Sequence, residues 1–419
     1  MRPFVLAIDG PAGAGKSVTS RAVARALGLR HVDSGAMYRA VGWLARSKGI
    51  PLDDERALLA MLDRVRLEAG PDGLHADGVA VEPHIRSAEA GDAASLVAVH
   101  TRLRARLVKL QRSLAAPPGL VMEGRDIGTV VFPNADLKLF LTASVEARAE
   151  RRHAELLARG ETADRGAIES MIRDRDRRDE ERAASPLKAA PDAIPLDTTA
   201  LTLEEQIDLA THWARLAKAG PGRMTAVFRF GHDFAHYFAR IFLRFEVEGL
   251  EHIPRSGPLI IASNHISFWD PPLVGSSVKR VVHFIAKAEL FEIRFLGGLI
   301  SRYNAIPIHR GPQARRGLRG AEEVLGNGGA VIIFPEGTRS KTSEFLQPKA
   351  GITRLAALTR SPVVPVRISG SRQIRRSMLR KVLVRIHFGS PMMPPIGDEA
   401  GREGGRAYAR RVMDAIGAL

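Results

Sequence analysis

The sequence contains no cysteine. This absence excludes a disulfide framework, a thiolate metal site and a cysteine nucleophile, and it suits a reducing compartment. Aromatic residues are also scarce, at 5% of the chain, and no zinc-finger spacing or base-stacking strand motif accompanies them, which disfavours a nucleic-acid-binding protein. No run of about 18 uncharged apolar residues occurs, so a membrane-spanning helix is not expected.

Charge, by contrast, is strongly one-sided, with a formal net charge of +16. Such a charge indicates an anionic partner, and with nucleic acid disfavoured, phosphorylated small molecules and an anionic membrane surface remain. The N-terminus lacks the basic, apolar and small-residue segments of a signal peptide, so we expect a cytoplasmic protein whose membrane contact is confined to the surface.

The length of 419 residues exceeds one ordinary core and predicts two domains of roughly 200 residues each. β-rich runs alternate with helical runs in both halves, which predicts two α/β domains. The break at Ala219-Gly220-Pro221-Gly222 predicts domains at 1–218 and 225–419 with a linker at 219–224. No internal repeat relates the halves.

Ten segments read as strands, and ligands of such folds gather where strands end. The predicted strands are 4–8, 120–123, 137–141, 193–196, 259–262, 281–286, 305–308, 330–334, 363–368 and 382–388. A helix over 203–218 closes the first half, with Thr202 as its cap. The segment at about 225–245 carries an aromatic-rich face, which fits either an interfacial membrane anchor or a helix packed in the core.

The strongest motif is Gly10-Pro11-Ala12-Gly13-Ala14-Gly15-Lys16-Ser17, which matches the phosphate-binding loop G-x-x-x-x-G-K-S. It follows a predicted strand and opens a helix, as nucleotide binding requires. The residues expected to bind ATP are Gly10, Gly13, Gly15, Lys16, Ser17 and Val18, with Ser17 holding Mg²⁺.

Three further segments suggest the phosphoryl acceptor: 33–39, 123–126 and 172–186. In the last, Arg175, Asp179 and Arg182 share one helical face. Together with the loop, these segments resemble the cytidylate kinase family over about residues 1–218, including a spacer that matches that family's nucleotide-binding insert. One departure is Ser87-Ala88, where the family more often has threonine and proline.

The resemblance implies a parallel-sheet P-loop nucleoside monophosphate kinase with an insert and a mobile lid that transfers phosphate from ATP to CMP or dCMP. It implies catalytic roles for Lys16, Arg125 and Arg175. The implied CMP-binding residues are Ser34, Tyr38, Arg39, Ser95, Arg104, Arg125, Asp126, Arg175, Asp179 and Arg182. Many arginines suit this chemistry because phosphoryl transfer depends on positioning and on stabilising negative charge.

The second half contains His265 followed five positions later by Asp270, a spacing that suits a general base and the carboxylate that orients it. Such a pair alone is weak evidence. No G-x-S-x-G nucleophile elbow accompanies it, so the attacking hydroxyl would belong to the substrate.

Further blocks strengthen the interpretation: 287–290, 305–310, 334–340 and 364–366. With the His265–Asp270 pair, they resemble the glycerolipid acyltransferases, specifically the 1-acylglycerol-3-phosphate acyltransferases, over about 245–395. The resemblance implies a second α/β domain in which His265 and Asp270 catalyse transfer from acyl-CoA or acyl-carrier protein. The expected acceptor-binding residues are Arg310, Glu336, Gly337, Thr338 and Arg339. Pro348-Lys349 departs from the family's phenylalanine-lysine pattern.

The leading hypothesis is therefore a bifunctional enzyme: a CMP kinase joined to an acyltransferase that makes phosphatidate at the inner face of the cell membrane. An alternative is a nucleotide-sensing P-loop module that regulates an acyltransferase acting on another lysolipid. Donor type, acyl chain length, oligomeric state and coupling between the activities stay open.

Overall fold

A computed structural model of the chain describes residues 2–70, 73–85, 87–158, 160, 164–181, 185–220, 226–293, 297–298, 300–301, 303–308, 318–342 and 344–419. The chain divides into two compact units, one formed by 1–190 and 195–211 and the other by 191–194 and 212–419. Most of the linker expected at 219–224 lies outside the described residues, so that boundary stays a prediction.

The first unit is built around a five-stranded sheet with the order β2-β6-β1-β7-β8. Its strands are β1 (Phe4–Asp9), β2 (Arg30–Asp33), β6 (Gly119–Gly124), β7 (Leu137–Thr142) and β8 (Ile194–Asp197). β1 pairs in parallel with β6 and β7, and β2 in parallel with β6. All residues of β6 are buried, as expected for a parallel strand covered on both faces.

Helices and a small second sheet surround these strands. The helices are α1 (Lys16–Leu27), α2 (Ser34–Ser47), α3 (Glu55–Leu62), α4 (Ala88–Val97), α5 (Thr101–Ser113), α6 (Val145–Ala158), α7 (Arg165–Glu181) and α8 (Leu203–Ala219). An antiparallel sheet joins β3 (Leu67–Gly70), β4 (Gly73–Ala76) and β5 (Val79–Ala80).

The predicted cap of α8 is confirmed. The Thr202 hydroxyl accepts a hydrogen bond from Glu205 N at 3.2 Å, and the Glu205 carboxylate accepts one from Thr202 N at 2.9 Å. This reciprocal capping box satisfies two backbone donors that a helix start leaves unpaired.

The second unit contains a seven-stranded sheet with the order β12-β11-β13-β10-β14-β15-β9. Its strands are β9 (Arg244–Glu248), β10 (Leu259–Ser263), β11 (Val282–Lys287), β12 (Ala305–Ile308), β13 (Ala330–Ile333), β14 (Val363–Ser369) and β15 (Leu383–Phe388). Within this sheet, β14–β15 is the only antiparallel pair among the described strand pairings. Parallel strands therefore bring several carboxyl ends to one edge.

Helices cover both faces of this sheet, and separate apolar clusters lie beneath them. They are α9 (Ala226–Phe242), α10 (Asp270–Ser277), α11 (Arg319–Gly326), α12 (Gly351–Thr359), α13 (Ile374–Met378) and α14 (Arg402–Ala418). No helix within the described ranges is long and apolar enough to span a bilayer.

The aromatic segment differs in extent from its prediction, because α9 ends at Phe242 and Phe245 lies in β9 instead. Residues 244–248 form strand β9, which pairs with β15, and therefore do not continue the helix. One face of α9 packs in the core, where Ala239 is buried, whereas Phe234 is 63% and Tyr237 62% exposed on another face. The interfacial anchor stays a prediction.

Candidate active sites

The phosphate-binding motif forms the turn between β1 and α1, at the carboxyl end of a central strand. Gly10 has φ of 146°, and a Cβ there would lie 2.0 Å from Leu141 O. Gly15 has φ of 83°, and a Cβ there would lie 2.6 Å from Gln206 Nε2. Both positions therefore require glycine, which lets the loop fold tightly enough to turn backbone N–H groups toward an anion.

Lys16 is 7% exposed, and its ammonium donates to Pro11 O at 2.6 Å. Burial, followed by the nearby charge of Arg125, holds the pKa of Lys16 well below its usual value, while Glu123 acts in the opposite direction. A phosphate placed beside this group would raise the pKa of Lys16 again, because opposite charge stabilises the charged form.

Ser17 and Glu123 form an oxygen-rich cluster beside the loop. The Ser17 hydroxyl donates to Glu123 Oε2 at 2.7 Å, and Ser20 Oγ donates to Oε1 at 3.0 Å. His31 Nε2 also lies 3.0 Å from Oε1. Hydroxyl and carboxylate oxygens are the donors that Mg²⁺ prefers. These residues therefore fit a magnesium ion that accompanies a nucleotide, although no group of three or more acidic or histidine ligands occurs among the described residues.

Asp9, at the end of β1, fastens the turn that follows β6. Its carboxylate accepts hydrogen bonds from Ile127 N at 2.8 Å and Gly128 N at 2.7 Å. Burial raises the pKa of Asp9 to about 6, against the lowering effect of these two bonds. The bonds fix the backbone directly after Arg125 and Asp126.

Several residues that are predicted to bind the phosphoryl acceptor meet around this turn. Ser34 Oγ donates to Glu123 O at 2.7 Å, while the Arg104 guanidinium forms a buried ion pair with Asp126 and lies 5.5 Å above the Tyr38 ring. Helices α2 and α5 therefore bring distant parts of the sequence to the strand end.

Arg39 and Asp33 form a second ion pair at the start of α2, 2.7 Å apart. Burial favours the neutral form of Asp33, but the charge of Arg39 and the hydrogen bonds outweigh it and lower the pKa of Asp33. Ser95 lies on α4, where its hydroxyl donates to Gly91 O at 3.3 Å. Val18 is 49% exposed.

Helix α7 supplies the other predicted charges. Arg125 Nε donates to the buried Asp179 carboxylate at 2.9 Å. Burial and then the charge of Arg125 lower the pKa of Arg175, which places both guanidinium groups in one positive field. Arg182 lies outside the described residues, so its role stays a prediction.

Sequence reasoning missed Arg148, a 4% exposed arginine on α6. Its guanidinium donates to Ala12 O in the phosphate loop at 3.1 Å and to both Asp176 oxygens at 2.9 and 2.5 Å. It thereby joins the loop to α7. In the sequence it stands beside Arg151 and Arg152, and nothing in the pattern separates a buried arginine from its neighbours.

In the second unit, His265 and Asp270 lie at the end of β10. His265 Nδ1 is 2.8 Å from Asp270 Oδ2, and Asp270 is fully buried. The same oxygen accepts Ile266 N and Ser267 N, each at 2.7 Å. A carboxylate at Nδ1 holds the proton on that nitrogen and leaves Nε2 available to accept one.

Glu336 holds the backbone of the loop 264–270, which carries His265 and is the candidate catalytic loop. Its buried carboxylate accepts His265 N at 2.9 Å through one oxygen and Leu346 N at 2.9 Å through the other. Ser340 N donates to His265 O at 2.8 Å. Both backbone groups of His265 are therefore bound by the segment after β13, and the Phe334 ring stacks on the imidazole at 4.1 Å.

Three other residues that are predicted to bind the acyl acceptor lie along this segment. The Arg339 guanidinium sits 3.4 Å above the Phe268 ring, and Thr338 is exposed. Gly337 has φ of 66°, and a Cβ there would lie 2.9 Å from Lys349 Nζ. Arg310 lies outside the described residues and stays a prediction.

Ser371, just after β14, was also missed. Its hydroxyl donates to Asp270 Oδ1 at 2.6 Å. The next residue, Arg372, donates to Ser340 O at 2.5 Å and Thr342 O at 2.8 Å. A serine 101 positions from its partner carries no local sequence signal.

Comparison with known proteins matches each half separately. Residues 6–215 match the cytidylate kinase family model, and residues 244–369 match the acyltransferase family model. The cytidylate kinase of Geobacillus sp. (strain WCH70) is 47% identical over 207 residues, covering 48% of this chain and 92% of that protein.

Two other similarities extend this comparison. A bifunctional pantoate ligase/cytidylate kinase of Synechococcus sp. (strain JA-2-3B'a(2-13)) is 48% identical over 232 residues, and the match spans 53% of this chain but only 43% of that protein. Among solved structures, the chain is similar to the 1-acyl-sn-glycerophosphate acyltransferase PlsC from Thermotoga maritima, with 31% sequence identity and a TM-score of 0.38. The match covers 46% of this chain and 77% of that protein. The chain therefore belongs to the cytidylate kinase family through its N-terminal half, and its C-terminal half contains an acyltransferase domain.

Proposed function

We propose that the chain is a bifunctional enzyme. Its first unit phosphorylates CMP and dCMP with ATP, and its second transfers an acyl chain from a thioester to the 2-hydroxyl of 1-acylglycerol 3-phosphate, which gives phosphatidate. The observation that supports the pairing most strongly is that each unit has its own set of reactive side chains: Lys16 with Arg125 in the first, and His265 with Asp270 in the second.

In the kinase reaction, the loop N–H groups and Lys16 would bind the phosphates of ATP, and Ser17 would contact Mg²⁺ beside Glu123. When bound, Mg²⁺ neutralises charge on the transferred phosphates. Arg125 and Arg175 would stabilise the charge that spreads over the transferring oxygens.

The CMP-binding roles follow the same geometry. Arg39 would contact the acceptor phosphate, and the Arg104–Asp126 pair beside Tyr38 would present both donors and an acceptor to the cytosine edge. We assign the remaining contacts to Ser34, Ser95, Asp179 and Arg182.

Nucleotide selectivity tests this half. With ATP, Mg²⁺ and each nucleoside monophosphate in separate reactions, we expect ADP to form fastest with CMP and dCMP, because the fixed Arg104–Asp126 pair matches cytosine. The measurement is ADP formation in a coupled assay, and a reaction without acceptor serves as control. If CMP gives no more ADP than that control, the kinase proposal fails and the nucleotide-sensing alternative is favoured.

In the acyl transfer, His265 Nε2 would take the proton of the acceptor hydroxyl while the oxygen attacks the thioester carbonyl. Asp270 stabilises the resulting imidazolium. This attack forms the new carbon–oxygen bond. Collapse of the tetrahedral intermediate then restores the carbonyl and breaks the carbon–sulfur bond, and His265 gives the proton to the departing thiolate. The acyl group therefore passes directly between substrates.

Arginines would also bind the acceptor phosphate. Arg339 lies over Phe268, close to the catalytic loop, and its forked donors suit a phosphate. Arg310 and Thr338 are proposed to complete this site, while Glu336 and Gly337 shape the turn that holds it. The donor is acyl-CoA or an acyl-carrier protein.

A lipid acceptor requires contact with a bilayer, and the second unit has a suitable apolar surface. On α9, Tyr237 is 62%, Ile241 60% and Phe242 51% exposed, and Phe238 stacks on Trp269 with ring centroids 6.1 Å apart. Trp269 is next to the catalytic Asp270. This apolar face therefore lies beside the reactive pair, as an interfacial anchor would require.

Basic residues border the same surface. Arg380 donates to Ile241 O and Leu243 O, each at 3.0 Å, and so fixes the turn after α13 against the end of α9. That turn exposes Leu379 at 67%. Arg375 and Arg376 precede it on α13 and are exposed. Cations around an apolar surface favour an anionic membrane.

Vesicle binding tests the membrane surface. The double variant Phe238→Ser/Phe242→Ser should bind vesicles of phosphatidylglycerol and phosphatidylcholine at least about tenfold more weakly, because two aromatic side chains leave the bilayer. Co-sedimentation measures binding. Leu358→Ser, which changes a 59% exposed leucine on α12, should bind like wild type. Equal binding by the double variant would show that the aromatic face has another role.

A further inference from the structure

Four hydrogen bonds from the described residues reach Asp270, and one of them comes from outside the catalytic loop. His265 Nδ1, Ile266 N and Ser267 N all contact Oδ2, at 2.8, 2.7 and 2.7 Å. The fourth donor is Ser371 Oγ, which contacts Oδ1 at 2.6 Å. Each carboxylate oxygen therefore has its own attachment, and Ser371 is the donor on the oxygen that faces away from the imidazole.

Both partners of this fourth bond are fully buried, since Asp270 and Ser371 have 0% exposure. Water cannot readily replace a donor at such a position, and a hydrogen bond to an ionised group is stronger than one between neutral groups. Loss of the hydroxyl would leave Oδ1 without a hydrogen-bond donor, and the carboxylate would rotate to find another.

The chain is shaped to bring Ser371 to this place. The Asn264 side chain, next to His265, accepts Ile368 N at 2.8 Å and donates to Ile368 O at 3.0 Å, which ties the end of β14 to the catalytic loop. Gly370 then turns the chain with φ of 75°, and a Cβ there would lie 2.0 Å from Leu383 O. A glycine at this point directs the next residue inward.

We propose that Ser371 is a positioning residue for acyl transfer. By holding Oδ1, it keeps Oδ2 aligned with His265 Nδ1, so that the carboxylate stays in place when the imidazole gains a proton. Ser371 contacts neither substrate. The proposal rests on the proposed function for its kinetic consequence, whereas the hydrogen bond itself can be tested without any substrate.

Three substitutions isolate the hydroxyl. Ser371→Ala removes it, Ser371→Thr keeps it, and Ser371→Val has the shape of threonine without it. We expect kcat for acyl transfer to fall about 10- to 100-fold in the alanine and valine variants, with KM for the lysolipid nearly unchanged. The threonine variant should recover most of the rate. Ser377→Ala, which removes another fully buried hydroxyl of this unit, should keep the wild-type kcat.

The valine–threonine comparison separates positioning from packing, because both side chains fill the same space. A valine variant as fast as the threonine variant would overturn the proposal, even if both were less stable than wild type. Thermal unfolding of each full-length variant identifies any that does not fold, and the valine–threonine pair is compared at a temperature where both are folded.

Proton NMR of the full-length protein provides the second readout. An imidazole N–H bonded to a buried carboxylate resonates far downfield, and His265→Ala assigns the signal by removing it. We expect Ser371→Val to weaken or lose this resonance and Ser371→Thr to keep it. An unchanged signal in Ser371→Val would contradict the proposal. If wild type fails to acylate 1-acylglycerol 3-phosphate, the proposed function fails, but the NMR comparison still decides the role of Ser371.

Discussion

Replacing His265 with alanine should lower acyl transfer by at least about a thousandfold, because the variant loses both the proton acceptor and the imidazolium that Asp270 stabilises. The expected loss lies in kcat, since the proposed mechanism places His265 at the reacting hydroxyl rather than at the acceptor phosphate. Formation of phosphatidate from a radiolabelled acyl donor and 1-acylglycerol 3-phosphate measures the effect.

The same polypeptide contains an internal control for this experiment. The rate of CMP phosphorylation by His265→Ala should match that of wild type, because the reactive groups of the kinase belong to the first unit. His387→Ala changes another histidine of the second unit, which lies on β15 and contacts Leu419 O at 3.3 Å, and it should retain acyl transfer. Retention of the wild-type acyl-transfer rate by His265→Ala would exclude His265 as the base.

Replacing Lys16 with methionine should lower CMP phosphorylation by about 100- to 1,000-fold, because the variant lacks the ammonium group that binds the terminal phosphates of ATP in the proposed mechanism. The substitution removes a buried cation. Because burial and the charge of Arg125 already lower the pKa of Lys16, we expect the loop without nucleotide to tolerate methionine. ADP formation with saturating CMP measures the change.

Lys48→Met serves as the matched control, because Lys48 is an exposed lysine at the end of α2. It should retain the wild-type kinase rate, and both lysine variants should retain acyl transfer. A Lys16→Met protein that phosphorylates CMP at the wild-type rate would remove Lys16 from the proposed mechanism.

Much of the fold could be predicted because buried parallel strands read as short apolar runs. All ten predicted strands occur, each within one residue of the predicted ends. The short strands β3, β4 and β5 were missed, and so were β2 and β9. The sequences of β2 (Arg30–Asp33) and β9 (Arg244–Glu248) are largely polar, and pairing with β6 and β15 decides their conformation. Such tertiary pairing overrides local pattern.

The candidate sites divide in the same way. Contiguous motifs such as the phosphate loop and His265–Asp270 could be predicted, because the chemistry fixes both residue type and spacing. Arg148 and Ser371 could not, since each reaches its partner through the fold: Arg148 contacts Asp176 on α7, and Ser371 contacts Asp270 from another strand end.

The sites also differ in how they manage charge. The kinase site gathers cations, and burial, followed by the charge of Arg125, lowers the pKa values of Lys16 and Arg175. The acyltransferase site instead buries one carboxylate and gives it four donors. Phosphoryl transfer needs charge held ready for the substrate, whereas proton transfer needs one imidazole fixed in place.

We propose that one chain carries two transferases, each with its own reactive residues. The most direct test supplies purified full-length protein with ATP, Mg²⁺, CMP, 1-acylglycerol 3-phosphate and an acyl thioester, and identifies all products by mass spectrometry. Wild type should form ADP, CDP and phosphatidate. Lys16→Met should form phosphatidate at the wild-type rate with ADP and CDP lowered about 100- to 1,000-fold, and His265→Ala should form ADP and CDP at the wild-type rate with phosphatidate lowered at least about a thousandfold. Failure of wild type to form either CDP or phosphatidate, or loss of both activities in one folded variant, would contradict the account.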